Sequence, residues 1–163
     1  MKRLRKKFSD DKIRFFACGE YGGETKRPHY HAIVFGLHLD DCVKYKTVQE
    51  GDSYYTYYNS DSIQSTWPNG FVVVGEVTWE SCAYVARYVT KKLSGPQAKF
   101  YEQFNLVPEF SDMSRRPGIA RQYYDDHGGD IYNNAYINVS TPKGGRKFKP
   151  PRYFDRLFDI DCP

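Results

Sequence analysis

Two histidines separated by one tyrosine, His29-Tyr30-His31, open an apolar run, Ala32-Ile33-Val34-Phe35, bounded by Pro28 and Gly36. Proline disfavours helical backbone at its junction, and branched and aromatic residues favour strands, so the segment reads as a strand. Residues two apart on a strand share a face, and His29 and His31 therefore present two imidazoles to one side of a sheet. Ile13 to Cys18 reads as the preceding strand and Gly22-Gly23 as its turn. An antiparallel hairpin there would return Glu20, in Cys18-Gly19-Glu20-Tyr21-Gly22, to the side of the histidines. Two neutral imidazoles and one carboxylate suit a divalent ion such as Mg2+ or Mn2+, with zinc also compatible. Alone, an HxH triplet is more often a pair of ordinary strand residues.

A second motif adds weight. Phe71 to Val77 reads as a buried strand, and Trp79 to Leu93, free of Pro and Gly, as a helix. On that helix Tyr84 and Tyr88 are separated by about 40° of rotation, with Lys91 about 20° to the other side of Tyr84. One stripe thus carries two phenols and an ammonium. Val85 and Val89, about 100° away, form an apolar stripe able to pack on a sheet. Tyrosines at helical spacing are usually half-buried packing residues. Their occurrence after an HxH strand makes a metal-dependent tyrosine nuclease the better reading.

These residues resemble the HUH endonucleases, where U is a hydrophobic residue, here Tyr30. The closer resemblance is to the rolling-circle replication initiators of microviruses, especially the gokushovirus branch. It rests on Phe16 to Glu20, Arg27 to Gly36, Gly70 to Val77 with Trp79-Glu80-Ser81, Tyr84 to Lys92, and Met113 to Ile119. The resemblance implies site-specific nicking and joining of single-stranded DNA through a 5′-phosphotyrosine. It implies His29 and His31 as metal ligands with Glu20 as the third, Tyr84 and Tyr88 as nucleophiles, and Lys91 as the lysine following the second tyrosine. It further implies a phage replication origin as substrate, host replication proteins as partners, and the cytoplasm of an infected bacterium as location. The implied fold is α+β, an antiparallel central sheet with helices on one face, an RRM-like palm with the histidine strand central and the tyrosine helix across it. The family's opening strand, of the type Phe-Leu-Thr-Leu-Thr-Tyr, has no match here, and Met1 to Phe8 looks like the end of the helix that follows it. The sheet is therefore expected to lack its first strand, in a chain incomplete at the N-terminus. Two alternatives stand beside this reading: an impaired fragment that binds single strands without cutting, and a relaxase or transposase of the HUH type. A zinc hydrolase is a distant third, since His38 and His127 have no helpful spacing.

Length and charge fit this picture without dictating it. A chain of 163 residues is expected to form one domain. The net charge is only +4, but Lys143, Arg146, Lys147, Lys149 and Arg152 cluster without an acid among them. Thr141 to Pro151 reads as a mobile basic loop that could meet phosphates, or equally as a solvated linker. Arg27 and Arg115-Arg116 are further candidate DNA contacts, the latter near Arg121, Tyr123 and Tyr124, a mixture of cations and rings that suits single strands. The cysteines at 18, 42, 82 and 162 show no metal-ribbon spacing and read as reduced thiols. No secretory signal or bilayer-length apolar stretch is evident. Leu37 to Asn69, with Tyr54-Tyr55-Thr56-Tyr57-Tyr58, reads as an added hairpin, Pro96 to Phe104 as a short helix, and Tyr136 to Val139 as a strand.

Overall fold

The hairpin anticipated around Gly22 is the organising element of the fold. In the computed structural model, which describes residues 1–22, 25–51, 53–87, 92–93, 95–141 and 144–161, β1 (Arg14–Tyr21) and β2 (Pro28–Phe35) pair antiparallel. The turn is closed by Gly22 N–H donating to Arg27 O (3.0 Å) and Lys26 N–H to Gly22 O (3.1 Å). The chain divides into two compact units, Met1–Ser114 and Arg115–Pro163.

In the first unit the other edge of β1 is taken by a short strand, Phe110–Met113, so the sheet order places β1 in the middle. This corrects the expectation that the histidine strand is central. Among the described residues β2 pairs only with β1, because nothing in 1–114 supplies a further strand to its outer edge. The α+β class and antiparallel pairing are as expected. On the face shared by Phe16, Cys18 and Ile33 lies a helix, Trp79–Arg87, whose Val85 is buried with Cys18 and Ile33 while Phe16 and Cys82 pack against them. Burial of such side chains contributes about 1.5–3 kcal/mol each. The helices are shared between faces. Phe15 points the other way, and Arg5 of the first helix, α1 (Lys2–Lys7), lies 5.4 Å from its ring.

Gly36 ends β2 at φ +70, and a Cβ there would stand 2.9 Å from the Lys12 carbonyl oxygen. Both the left-handed conformation and the backbone contact demand glycine. Gly36→Ala is expected to lose about 1–2 kcal/mol of stability, read as a lowered denaturation midpoint.

The expected added hairpin forms as β3 (Val43–Glu50) and β4 (Ser53–Asn59). The buried strand anticipated from Phe71 to Val77 does not. Only Val74–Gly75 (β5) pairs, with Tyr57 and Tyr58, and Phe71, Val73 and Val77 are exposed. Here an apolar run joins the edge of a small solvent-facing sheet, and periodicity cannot distinguish that from a core strand. The short strand Phe110–Met113 is β6. A short helix, α2 (Asp61–Gln64), follows β4, and Asp41 clamps its start. The Asp41 carboxylate accepts from Ser60 Oγ (2.6 Å) and Ser62 N–H (2.7 Å), bonds that hold it below the usual carboxylate range. The helix Trp79–Arg87 is α3. After it come a 3-10 turn at Gly95–Ala98 and α4 (Lys99–Gln103), matching the expected short helix.

Asp11, between α1 and β1, accepts from both the backbone N–H and Nδ1 of His38, each at 2.9 Å. These bonds raise the His38 pKa above its ordinary 6.5 and lower that of Asp11 below 3.8. The histidine's contribution to stability is complete below 6.5 and is lost as pH rises through its raised value. The aspartate's is present above 3.8 and is lost as pH falls through its lowered value. An NMR titration should place the His38 midpoint above 6.5, falling back in Asp11→Asn.

The second unit consists of α5 (Arg121–Asn134), a hairpin of β7 (Ile137–Thr141) and β8 (Gly144–Phe148), and α6 (Arg152–Asp161). Tyr124, Ile131 and Phe154 form its core, and the Tyr132 and Phe158 rings stack at 4.0 Å. The basic segment expected as a loop is largely strand β8, because Asn138 to Thr141 offer it a complete antiparallel partner. No helix among the described residues is long and apolar enough to cross a membrane.

Candidate metal and nucleophile site

Cross-strand register assembles the candidate site. Glu20 stands opposite His29 and Cys18 opposite His31, so all four side chains leave the sheet on the face that α3 covers. Glu20 is only 6% exposed. A carboxylate so buried needs a polar partner, and His31 Nε2 donates to its Oε1 at 3.2 Å.

His29 shares the face but its ring lies over Gly22, where a Cβ would come within 2.7 Å of the imidazole Cε1. Among the described residues no three His, Cys, Asp or Glu side chains are converged to hold a metal ion. The donor set nevertheless fits one. A buried carboxylate faces two imidazoles, and His29, opposite Glu20 in register, can approach it by side-chain rotation alone.

Tyr84 reaches the same place from α3. Its ring meets that of His31 edge to face at 6.0 Å, and it remains 50% exposed. Its neighbour Val85 anchors the helix in the core, and Cys18 Sγ donates to the Val85 carbonyl at 3.9 Å. The start of α3 is set by Thr78 and Ser81, which cap each other: Thr78 N–H donates to Ser81 Oγ (2.8 Å) and Ser81 N–H to Thr78 Oγ1 (3.2 Å). Tyr88, Val89 and Lys91 lie outside the described residues.

Tyr30 turns to the opposite face, as alternation requires, and meets Trp67 at 5.0 Å and Phe110 at 6.4 Å. Cys18 beside His31 was not singled out by sequence reasoning, although the same alternation from Glu20 points to it. Its thiol is buried against α3 and serves packing.

The candidate DNA contacts are distributed between units. Arg27 is exposed in the β1–β2 turn of the first. In the second unit Arg115 and Arg116 occupy a turn bridged from Arg115 to Gly118. Arg146 and Lys147 project from β8, with the Lys147 ammonium 4.0 Å from the Tyr136 ring centroid. Lys149 and Arg152 are exposed near the start of α6, and Lys143 is outside the described residues.

The first unit is thus an antiparallel α+β structure with a histidine–carboxylate face and a tyrosine-bearing helix set against it. A family model for replication-associated proteins of the ORF2 type matches residues 1–93, more than half of the chain, and the chain belongs to that family. The match spans Glu20, His29, His31, Tyr84, Tyr88 and Lys91. The chain is 41% identical over 147 residues to "Replication-associated protein ORF2" of Spiroplasma virus 4, covering 90% of this chain and 43% of the relative. It is 39% identical to "Replication-associated protein ORF4" of Chlamydia phage 1, covering 90% and 35%, and 29% identical to "Replication-associated protein VP4" of Bdellovibrio phage phiMH2K, covering 93% and 45%. The chain therefore spans less than half the length of these relatives. No solved structure matches it.

Proposed function

We propose that this chain initiates phage DNA replication by nicking and rejoining single-stranded DNA at an origin, within the infected bacterium and alongside host replication proteins. The observation that carries this reading is Tyr84 packed against His31, itself hydrogen-bonded to the buried Glu20, on one face.

The tyrosine hydroxyl attacks the scissile phosphorus in line with the departing 3′ oxygen. An O–P bond forms to tyrosine as the P–O3′ bond breaks, the phenolic proton is lost, and the leaving oxygen takes up a proton to become a free 3′-hydroxyl. The 5′-phosphotyrosine conserves one phosphodiester linkage, so the reverse attack by a 3′-hydroxyl rejoins DNA without ATP. An ordinary phenol, with a pKa of about 10, needs activation at neutral pH. Bound by Glu20, His29 and His31, a divalent cation, Mg2+ or Mn2+, would supply Lewis-acid polarisation of a phosphate oxygen. Lys91, next on the tyrosine stripe, is assigned to balance phosphate charge. The half-exposed setting of Tyr84 leaves its ring accessible to a strand, and Arg27 and the basic residues of the second unit are assigned to phosphate contacts.

The test is to incubate the chain with circular single-stranded phage DNA and Mn2+ and to look for a protein–DNA adduct on a denaturing gel. An adduct lost in both His29→Ala and the Tyr84→Phe, Tyr88→Phe double variant supports the nuclease. The position of His29 over Gly22, away from Glu20, favours one other reading, a segment that binds single strands without cutting. Metal-independent binding with no adduct would establish that instead.

A further inference from the structure

We infer that the β3–β4 hairpin is a second single-stranded DNA contact, a stacking platform separate from the histidine face. The inference rests on the proposal that single-stranded DNA is the substrate.

The hairpin contributes nothing to either hydrophobic core described above. Its strands carry Tyr45, Tyr54, Tyr55, Tyr57 and Tyr58, yet Tyr54 is 69% exposed and Tyr45 49%, and Phe71 beside it is 66% exposed. Tyr45 and Phe71 meet edge to face at 5.5 Å. The Lys46 ammonium lies between two rings, 5.6 Å from the centroid of Tyr45 and 5.7 Å from that of Tyr57. The register shift between Lys44 and Lys46 leaves Tyr45 unpaired and brings Lys46 opposite Tyr57. From Val43 to Gln49 and from Tyr54 to Asn59 the strands contain two lysines and no acid.

The chemistry of the surface selects its occupant. A protein partner or a second copy would favour Leu, Ile and Met over tyrosines edged by threonine and lysine, and copies meeting face to face would oppose lysine to lysine. Single-stranded DNA requires flat rings for its bases and cations for its phosphates at nucleotide spacing, without shape complementarity. The cations here already lie against rings, so a base stacked on Tyr45 or Tyr57 carries its phosphate to Lys46. This contact has no sequence preference, because every base presents a π-face.

The experiment measures fluorescence anisotropy of a labelled oligo(dT), which lacks any origin sequence, with the full chain across a salt series. Tyr45→Leu with Tyr54→Leu, which keeps apolar area but removes the rings, should weaken binding about tenfold. Lys44→Ala with Lys46→Ala should flatten the log–log salt dependence by about 1.4, from about 0.7 per lysine on single strands. These positions are exposed, and an unchanged far-UV spectrum and melting transition would verify folding. Unaltered affinity and salt slope in both variants would overturn the inference, as would tyrosine-dependent self-association in sedimentation with oligo(dT) binding intact. The adduct assay runs in parallel. Adduct formation with no hairpin effect sinks this inference alone, whereas a hairpin effect without any adduct sinks the nuclease reading alone.

Discussion

Tyr84→Phe is expected to leave a first covalent capture of DNA while abolishing circle closure, and Tyr88→Phe to do the same. The reasoning is that one tyrosine holds the 5′ end while the other cuts the regenerated origin, after which the released 3′-hydroxyl attacks the first phosphotyrosine. Removing one hydroxyl leaves one nucleophile and therefore one cut. Removing both should lower cleavage by about 10⁴-fold or more, the scale on which loss of an essential nucleophile acts. The ring of Tyr84 touches His31, and Phe preserves that contact, so a lost activity reports the hydroxyl. Adduct yield and closed-circle yield on the same gel separate the steps. If one replacement abolished capture and the other altered neither step, the alternating scheme would be wrong.

Glu20 carries the second large effect, and it separates chemistry from folding. Glu20→Gln keeps the volume and a hydrogen-bond acceptor for His31 but removes the charge. Adduct formation should fall at least about 10²-fold and Mn2+ affinity should drop, with little change in melting temperature. Glu20→Ala should add a stability loss of about 1–3 kcal/mol, because the His31 N–H then loses its acceptor in a partly buried place. Mn2+ titration followed by electron paramagnetic resonance reads the affinity independently of DNA. Equal adduct formation by Glu20→Gln and the parent chain would exclude the carboxylate as a ligand.

The strand frame of the candidate site was largely legible in sequence because strand alternation is strict. Pro28, the apolar run after His31 and the glycine turn together imply the hairpin, and the hairpin implies Glu20 opposite His29. The helix from Trp79 was legible for the same kind of reason, since its buried Val85 sits where the apolar stripe predicts. The helix α5 was not legible. Its segment Asp125-Asp126-His127-Gly128-Gly129-Asp130 has the composition of a turn, and glycine costs about 1 kcal/mol in a helix. Tertiary packing overrides that cost. Gly128 lies under the Tyr124 ring, where a Cβ would stand 3.1 Å from it, and Tyr124, Gly128 and Ile131 form one buried stripe.

What the sequence determined by itself is local and periodic: which side chains share a strand face, which share a helix stripe, and where the chain turns. Those regularities follow from backbone geometry and survive any packing. What only the tertiary structure decided is long-range. It places β1 rather than β2 at the centre of the sheet, holds Phe71 to Val77 in solvent, and turns the His29 ring onto Gly22. Each depends on competition between distant segments for one edge or one face, and a sequence pattern records the residues that compete but not which of them wins.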